Sequence, residues 1–128
     1  MSNPWIIATG IFGALGVALG AFGAHGLRSW LPLQKMTIFE TAVRYHLLHT
    51  LALLGVAILL VYAPRSTYWL TWSARGFSAG IILFSGSLYV YTLADITAMH
   101  WFTPLGGLTW ILGWFALAMA GWRGIGKQ

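Results

Sequence analysis

The run from Thr37 to Thr50 carries Glu40, Arg44, His46 and His49, and leads without a break into an apolar stretch from Leu51 to Ala63 whose departures are Gly55 and Tyr62. Ionisable groups at membrane depth are costly to bury, so each is a functional candidate by default. His46 and His49 stand about 60° apart on a helical wheel and form one polar face with Tyr45 beside them. That spacing suits two ligands of one metal, but two rings bonded to carbonyls or Ser/Thr hydroxyls of adjacent helices are the commoner arrangement. Glu40 and Arg44 lie one turn apart in the glutamate-first order that favours an ion pair. Thr37 with Glu40 also has the form of a capping box at a helix start. Arg44 projects roughly 140–160° from the histidine face, so the two pairs cannot point at one neighbouring helix.

These groups need a bundle to position them, and the composition says which kind. Of the 128 residues 59% are hydrophobic and 7% charged, and the mean hydropathy is +0.77. A soluble chain is about one quarter charged. The chain reads as an integral membrane protein, all-α, with four spans of ~20 residues in one transmembrane domain over residues 1–128. The spans are expected at about 5–25, 41–63, 76–94 and 104–122, estimated from the apolar runs and a ~20-residue span. The absence of cysteine excludes disulfides and thiolate chemistry. The net charge of +5 is dispersed, so it is a topology signal and no nucleic-acid partner is expected.

Along the first span Thr9, Gly13, Gly16, Gly20 and Gly23 share one stripe, which lets helix backbones approach closely in lipid. Gly106, Thr109, Gly113, Ala116 and Ala120 repeat the pattern in the fourth. Such seams serve packing within the bundle, or docking to a larger membrane complex or to a second copy of the chain. In the third span Gly76, Gly80, Phe84, Ser87 and Tyr91 form one stripe, and Ser78, Ser85 and Tyr89 a second. The hydroxyls of the Phe84 to Tyr89 segment can bond to the histidines of the second span or back to their own carbonyls. A hydrocarbon core of ~30 Å counted back from Ala63 begins near Thr41 and leaves His49 roughly 10 Å inside it.

Counting Lys and Arg by side sets Arg65, Arg75, Arg123 and Lys127 against Arg28, Lys35 and Arg44, which places both termini in the cytoplasm. His25, Glu40, His46, His49, Asp95 and His100, all the histidines and both acids, then gather toward the outer half. One polar pocket is expected there, with His25, His49 and the Ser85 to Ser87 region converging and His49 facing a polar group of another helix.

Gly20-Ala21-Phe22-Gly23-Ala24-His25, the stretch from Tyr45 to Ala52, Phe84-Ser85-Gly86-Ser87-Leu88-Tyr89 and Thr103-Pro104-Leu105-Gly106-Gly107 occur in this order. Together they resemble the transmembrane protein 256 family, also called domain of unknown function 423. The resemblance implies a small bacterial inner-membrane protein with four spans and no assigned activity; it transfers no catalytic residues, and it favours His25 and His49 over His46 as site candidates. No nucleophile with an ordered base, no fixed-spacing metal motif and no cofactor motif is present, so a binding or accessory protein is expected before a transporter, and an enzyme last.

Overall fold

The computed structural model describes residues 2–63 and 67–125. Among them, four helices are long and apolar enough to cross a membrane. The first, α1 (Pro4–His25), starts where the Asn3 side chain accepts from the amides of Trp5 and Ile6 at 3.0 and 3.1 Å. Proline at the first position costs nothing there, because its missing N–H has no helical partner anyway. A short 3-10 turn, Leu27–Ser29, leads to α2 (Leu33–Tyr62).

The start of α2 differs from the expected capping box. Pro32 supplies the flanking residue, its carbonyl accepting the Met36 amide at 2.9 Å. Thr37 therefore lies inside the helix, with its hydroxyl bonded back to the Leu33 carbonyl at 3.1 Å. The helix is 30 residues long, so its midpoint falls between Leu47 and Leu48 and the two histidines flank it. They lie near the middle of the bundle, His46 just on the side of Leu33 and His49 just beyond the midpoint.

The third span also begins earlier than its apolar core, at Thr67, because Leu70, Ser73, Ala74 and Phe77 keep a buried helical stripe through the aromatic entry. It consists of α3 (Thr67–Gly80), a π-helical segment (Ile81–Gly86) and α4 (Ser87–Leu93). Asp95, with φ of 57°, turns the chain into a 3-10 segment, Thr97–Trp101. The fourth span, α5 (Phe102–Arg123), ends at Gly124 in the left-handed conformation.

Consecutive spans run antiparallel, and the glycine seams lie inside the bundle. A Cβ at Gly16 would sit 2.5 Å from Leu47 Cδ2, and one at Gly23 would sit 2.6 Å from the Phe39 ring, so the first seam faces α2. A Cβ at Gly76 would come within 2.8 Å of Gly113 Cα, and one at Gly106 within 2.3 Å of the Phe84 amide. The second seam therefore faces the third span. The close approaches that small residues permit at Gly16, Gly23, Gly76 and Gly106 are thus made within the chain. Exposed Tyr62, Tyr68 and Trp122 mark one end of the bundle, and Trp30 and Trp101 mark the other, as expected for aromatic belts at the two interfaces.

Candidate functional site

The middle of the bundle is a polar layer built around α2. His46 is buried and joins three elements: Nε2 lies 2.8 Å from the Phe12 carbonyl of α1, and Nδ1 lies 2.8 Å from the Tyr89 hydroxyl of α4. A carbonyl can only accept, so Nε2 carries a proton; in the neutral ring Nδ1 then accepts from the Tyr89 hydroxyl. His49 has the opposite arrangement. Its Nδ1 faces the Tyr45 carbonyl at 2.9 Å, and the indole N–H of Trp114 donates to its Nε2 at 3.1 Å. Indole is a donor only, so His49 is neutral with its proton on Nδ1, and a second proton would set two donors against each other.

Aromatic rings enclose His49. Trp110 stacks on the imidazole at 3.8 Å with planes 4° apart, while Phe77 and Trp114 approach at 5.8 and 5.9 Å. Trp110 is held in place by its own N–H, which donates to the Phe77 carbonyl at 3.1 Å. It can lie so close to α3 because residue 80 is glycine; a Cβ there would be 2.1 Å from the indole.

The π segment borders this layer. Ser85, buried in its last turn, donates to the Ala42 carbonyl of α2 at 2.7 Å. Ser87 bonds back to the Phe84 carbonyl at 2.8 Å and pairs with the Thr103 hydroxyl at 2.7 Å. Thus both alternatives for these hydroxyls occur, but the partner of His46 is Tyr89. Two hydroxyls of α3, those of Ser73 and Ser78, are buried without a hydrogen-bond partner among the described residues.

The other candidates lie at the end marked by Trp30 and Trp101. Glu40 pairs with Arg28 at 3.4 Å and not with Arg44, because the 3-10 turn after α1 brings Arg28 over the second turn of α2. Asp95 pairs with Lys35. His25 is exposed at the end of α1, and His100 is exposed, bonded to the Thr97 carbonyl. Arg44 is exposed and makes no hydrogen bond or ion pair among the described residues. With Glu40 it rims a groove of about 170 Å³ between α1 and α2, floored by Gly20, Gly23, Phe39 and Val43. Arg65 and Lys127, used in the charge count, lie outside the described residues.

The expected single pocket is not assembled. Gly23 packs on Phe39 and α1 runs antiparallel to α2, so His25 lies some twelve residues of α2 from His49, about 18 Å at 1.5 Å per residue. His46 and His49 turn to different helices, and all four ring nitrogens are bonded to protein groups. No group of three His, Cys, Asp or Glu side chains with metal-binding geometry occurs among the described residues. Sequence reasoning missed Trp110 and Trp114. The signal was present: an indole N–H in the middle of a membrane span needs an acceptor, and the two tryptophans lie one turn apart on one face.

Four antiparallel apolar helices around a bonded histidine layer define a small polytopic membrane protein. Residues 19–107 match the family model described as Protein of unknown function (DUF423), and the chain belongs to that family. It is 39% identical over 120 residues to the UPF0382 inner membrane protein YgdD of Escherichia coli, covering 94% of this chain and 89% of that one. With the UPF0382 membrane protein YwdK of Bacillus subtilis it shares 38% identity over 121 residues, covering 91% and 94%. A Haemophilus influenzae UPF0382 membrane protein is 35% identical over 123 residues, 96% and 97% of the two chains. No solved structure matches.

Proposed function

We propose that the protein is a non-enzymatic accessory protein of the membrane that binds a small ligand at the charged end of the bundle, in the groove rimmed by Glu40 and Arg44. One observation carries this reading. His46 and His49 have every ring nitrogen taken by the protein, whereas the Arg44 guanidinium, at the mouth of a groove, has no partner among the described residues. A guanidinium there offers planar donors to an anionic group, and the apolar floor takes the attached hydrocarbon. Asp95 and the hydroxyls of Ser85 and Ser87 are engaged elsewhere, which supports a role without covalent chemistry. The Lys and Arg balance orients this end away from the cytoplasm, with both termini inside.

The test is retention of a ligand through purification, read by mass spectrometry with an absorbance spectrum and metal analysis. Arg44→Gln is expected to lose the bound species, and His49→Leu to keep it. A species that follows His49 instead, or a coloured or metal-loaded protein, overturns the reading. Reporter fusions near Lys35 and Ala98 are expected outside, and a fusion at Gln128 inside; the inverse pattern removes the orientation.

A second reading, proton or small-solute transport, is favoured by the π segment beside His46 and Tyr89 at mid-bundle, since π turns recur at functional sites. Proteoliposomes with an imposed pH gradient test it. Proton flux above protein-free vesicles that Tyr89→Phe abolishes would establish transport.

A further inference from the structure

The opposite end of the bundle carries a groove of different character. Between α3 and α5, Trp69, Trp72, Leu112 and Phe115 wall a cavity of about 360 Å³ over a floor that includes Gly76 and Ala79. Arg75 lies at its edge, the guanidinium carbon 4.9 Å from the centre of the Trp72 ring. A side chain on a helix leans toward the N-terminus, and for α3 that direction leads out of the membrane. Arg75 thereby reaches back over Trp72 toward the headgroup level, where tryptophan is enriched.

Charge decides what can lie there. The chain has two acidic residues in all, and both are at the other end, Glu40 with Arg28 and Asp95 with Lys35. No side-chain carboxylate remains to neutralise Arg75, which leaves its guanidinium open to an anion from outside the chain. The length of the groove decides the rest. From Trp69 to Ala79 the helix rises about 15 Å, half of a hydrocarbon core of ~30 Å. The groove therefore spans about the depth of one leaflet, with the Arg75 guanidinium drawn back beside Trp72 in its headgroup-facing half and small residues along the floor beyond it. The Arg44 groove differs, since a carboxylate shares its rim.

We propose that this groove binds one anionic glycerophospholipid, its phosphodiester on the Arg75 guanidinium beside Trp72 and one acyl chain along Gly76 and Ala79. Arginine suits the role because its planar fork meets phosphate oxygens in pairs while its face stacks on an aromatic ring. Binding adds no bond and needs no other group of the protein.

Native mass spectrometry of the full chain, titrated in detergent with phosphatidylglycerol or phosphatidylcholine of the same acyl chains, tests this. Wild type is expected to retain one phosphatidylglycerol with a preference of about fivefold, the equivalent of ~1 kcal/mol for one cation at an anionic surface. Arg75→Gln is expected to bring phosphatidylglycerol down to the phosphatidylcholine level. Arg123→Gln, the same charge change at the same end but outside the groove, is expected to leave the preference intact. Ala79→Leu, which fills the floor, is expected to weaken both lipids. If Arg75→Gln keeps the preference, or if Arg123→Gln abolishes it equally, the site is refuted in favour of general attraction to a basic surface. Because Arg75 is exposed, its substitution leaves the fold intact and the comparison readable even if Ala79→Leu fails to fold.

Discussion

Replacing Gly80 by alanine puts a methyl group where the Trp110 indole already stands. The new Cβ would lie 2.1 Å from Cδ1 and 2.2 Å from Nε1, whereas carbon atoms rest at about 3.5–4.0 Å, so the ring must move by more than ~1 Å. Moving it weakens the bond from Nε1 to the Phe77 carbonyl, a bond of about 0.6 kcal/mol on the average for membrane proteins. It also disturbs the stack on His49, worth about 0.5–1.5 kcal/mol if the imidazole is treated as an aromatic partner. Overpacking strain adds about 1–3 kcal/mol, and alanine returns about 1 kcal/mol of helix propensity. The net expectation is a destabilisation of about 1–4 kcal/mol, summed from those contributions. Titration with sodium dodecyl sulfate in mixed micelles, followed by tryptophan fluorescence, measures it. Gly55→Ala is the matched control, because nothing lies within 4 Å of a Cβ there, and it should unfold at the wild-type midpoint or above. If Gly80→Ala unfolds where Gly55→Ala does, the close approach of Trp110 to α3 is refuted.

Trp114→Phe keeps a ring on His49 but removes the donor to Nε2, and should cost about 0.6–1.7 kcal/mol, the range of membrane hydrogen bonds. A double-mutant cycle with His49→Leu that shows no coupling would contradict the assignment. Ser73→Ala removes a hydroxyl that is fully buried and unpaired, and is expected to stabilise the bundle by roughly 1 kcal/mol; a loss of stability in the same titration would show that the hydroxyl has a partner. Gly16→Ile should separate α1 from α2, since even its Cβ meets Leu47 at 2.5 Å. An unchanged midpoint would mean that this stripe faces lipid.

The four spans and both seams were legible because apolar length and small-residue spacing are local properties of the chain. The starts of α2 and the third span were not, since apolarity marks where lipid begins and a helix continues beyond it for as long as its backbone bonds and buried stripe allow. That difference moved His46 and His49 to mid-bundle. It was legible that His49 needs a partner on another helix, but its partner comes from a residue type read as an interfacial anchor, Trp114. Glu40 shows the converse limit: a partner one turn away in sequence lost to Arg28, twelve residues back, because the chain reverses between them. The pairing of side chains across a turn depends on where the turn puts them, and no periodicity records it.

The π segment of the third span implies a rule about chain length. A turn that holds one residue more than an α-helical turn absorbs it by widening, so the helices on either side keep their facing directions: Gly76 and Gly80 toward α5, Tyr89 toward His46. Deleting one residue within Ile81–Gly86 would let the turn close to an ordinary one and leave both flanks in register. The same deletion anywhere else in the span would swing all that follows by roughly 100°, carrying Tyr89 off the histidine. Insertions and deletions among relatives of this chain are therefore expected to collect at this turn, and the rest of the span to keep a fixed count of residues.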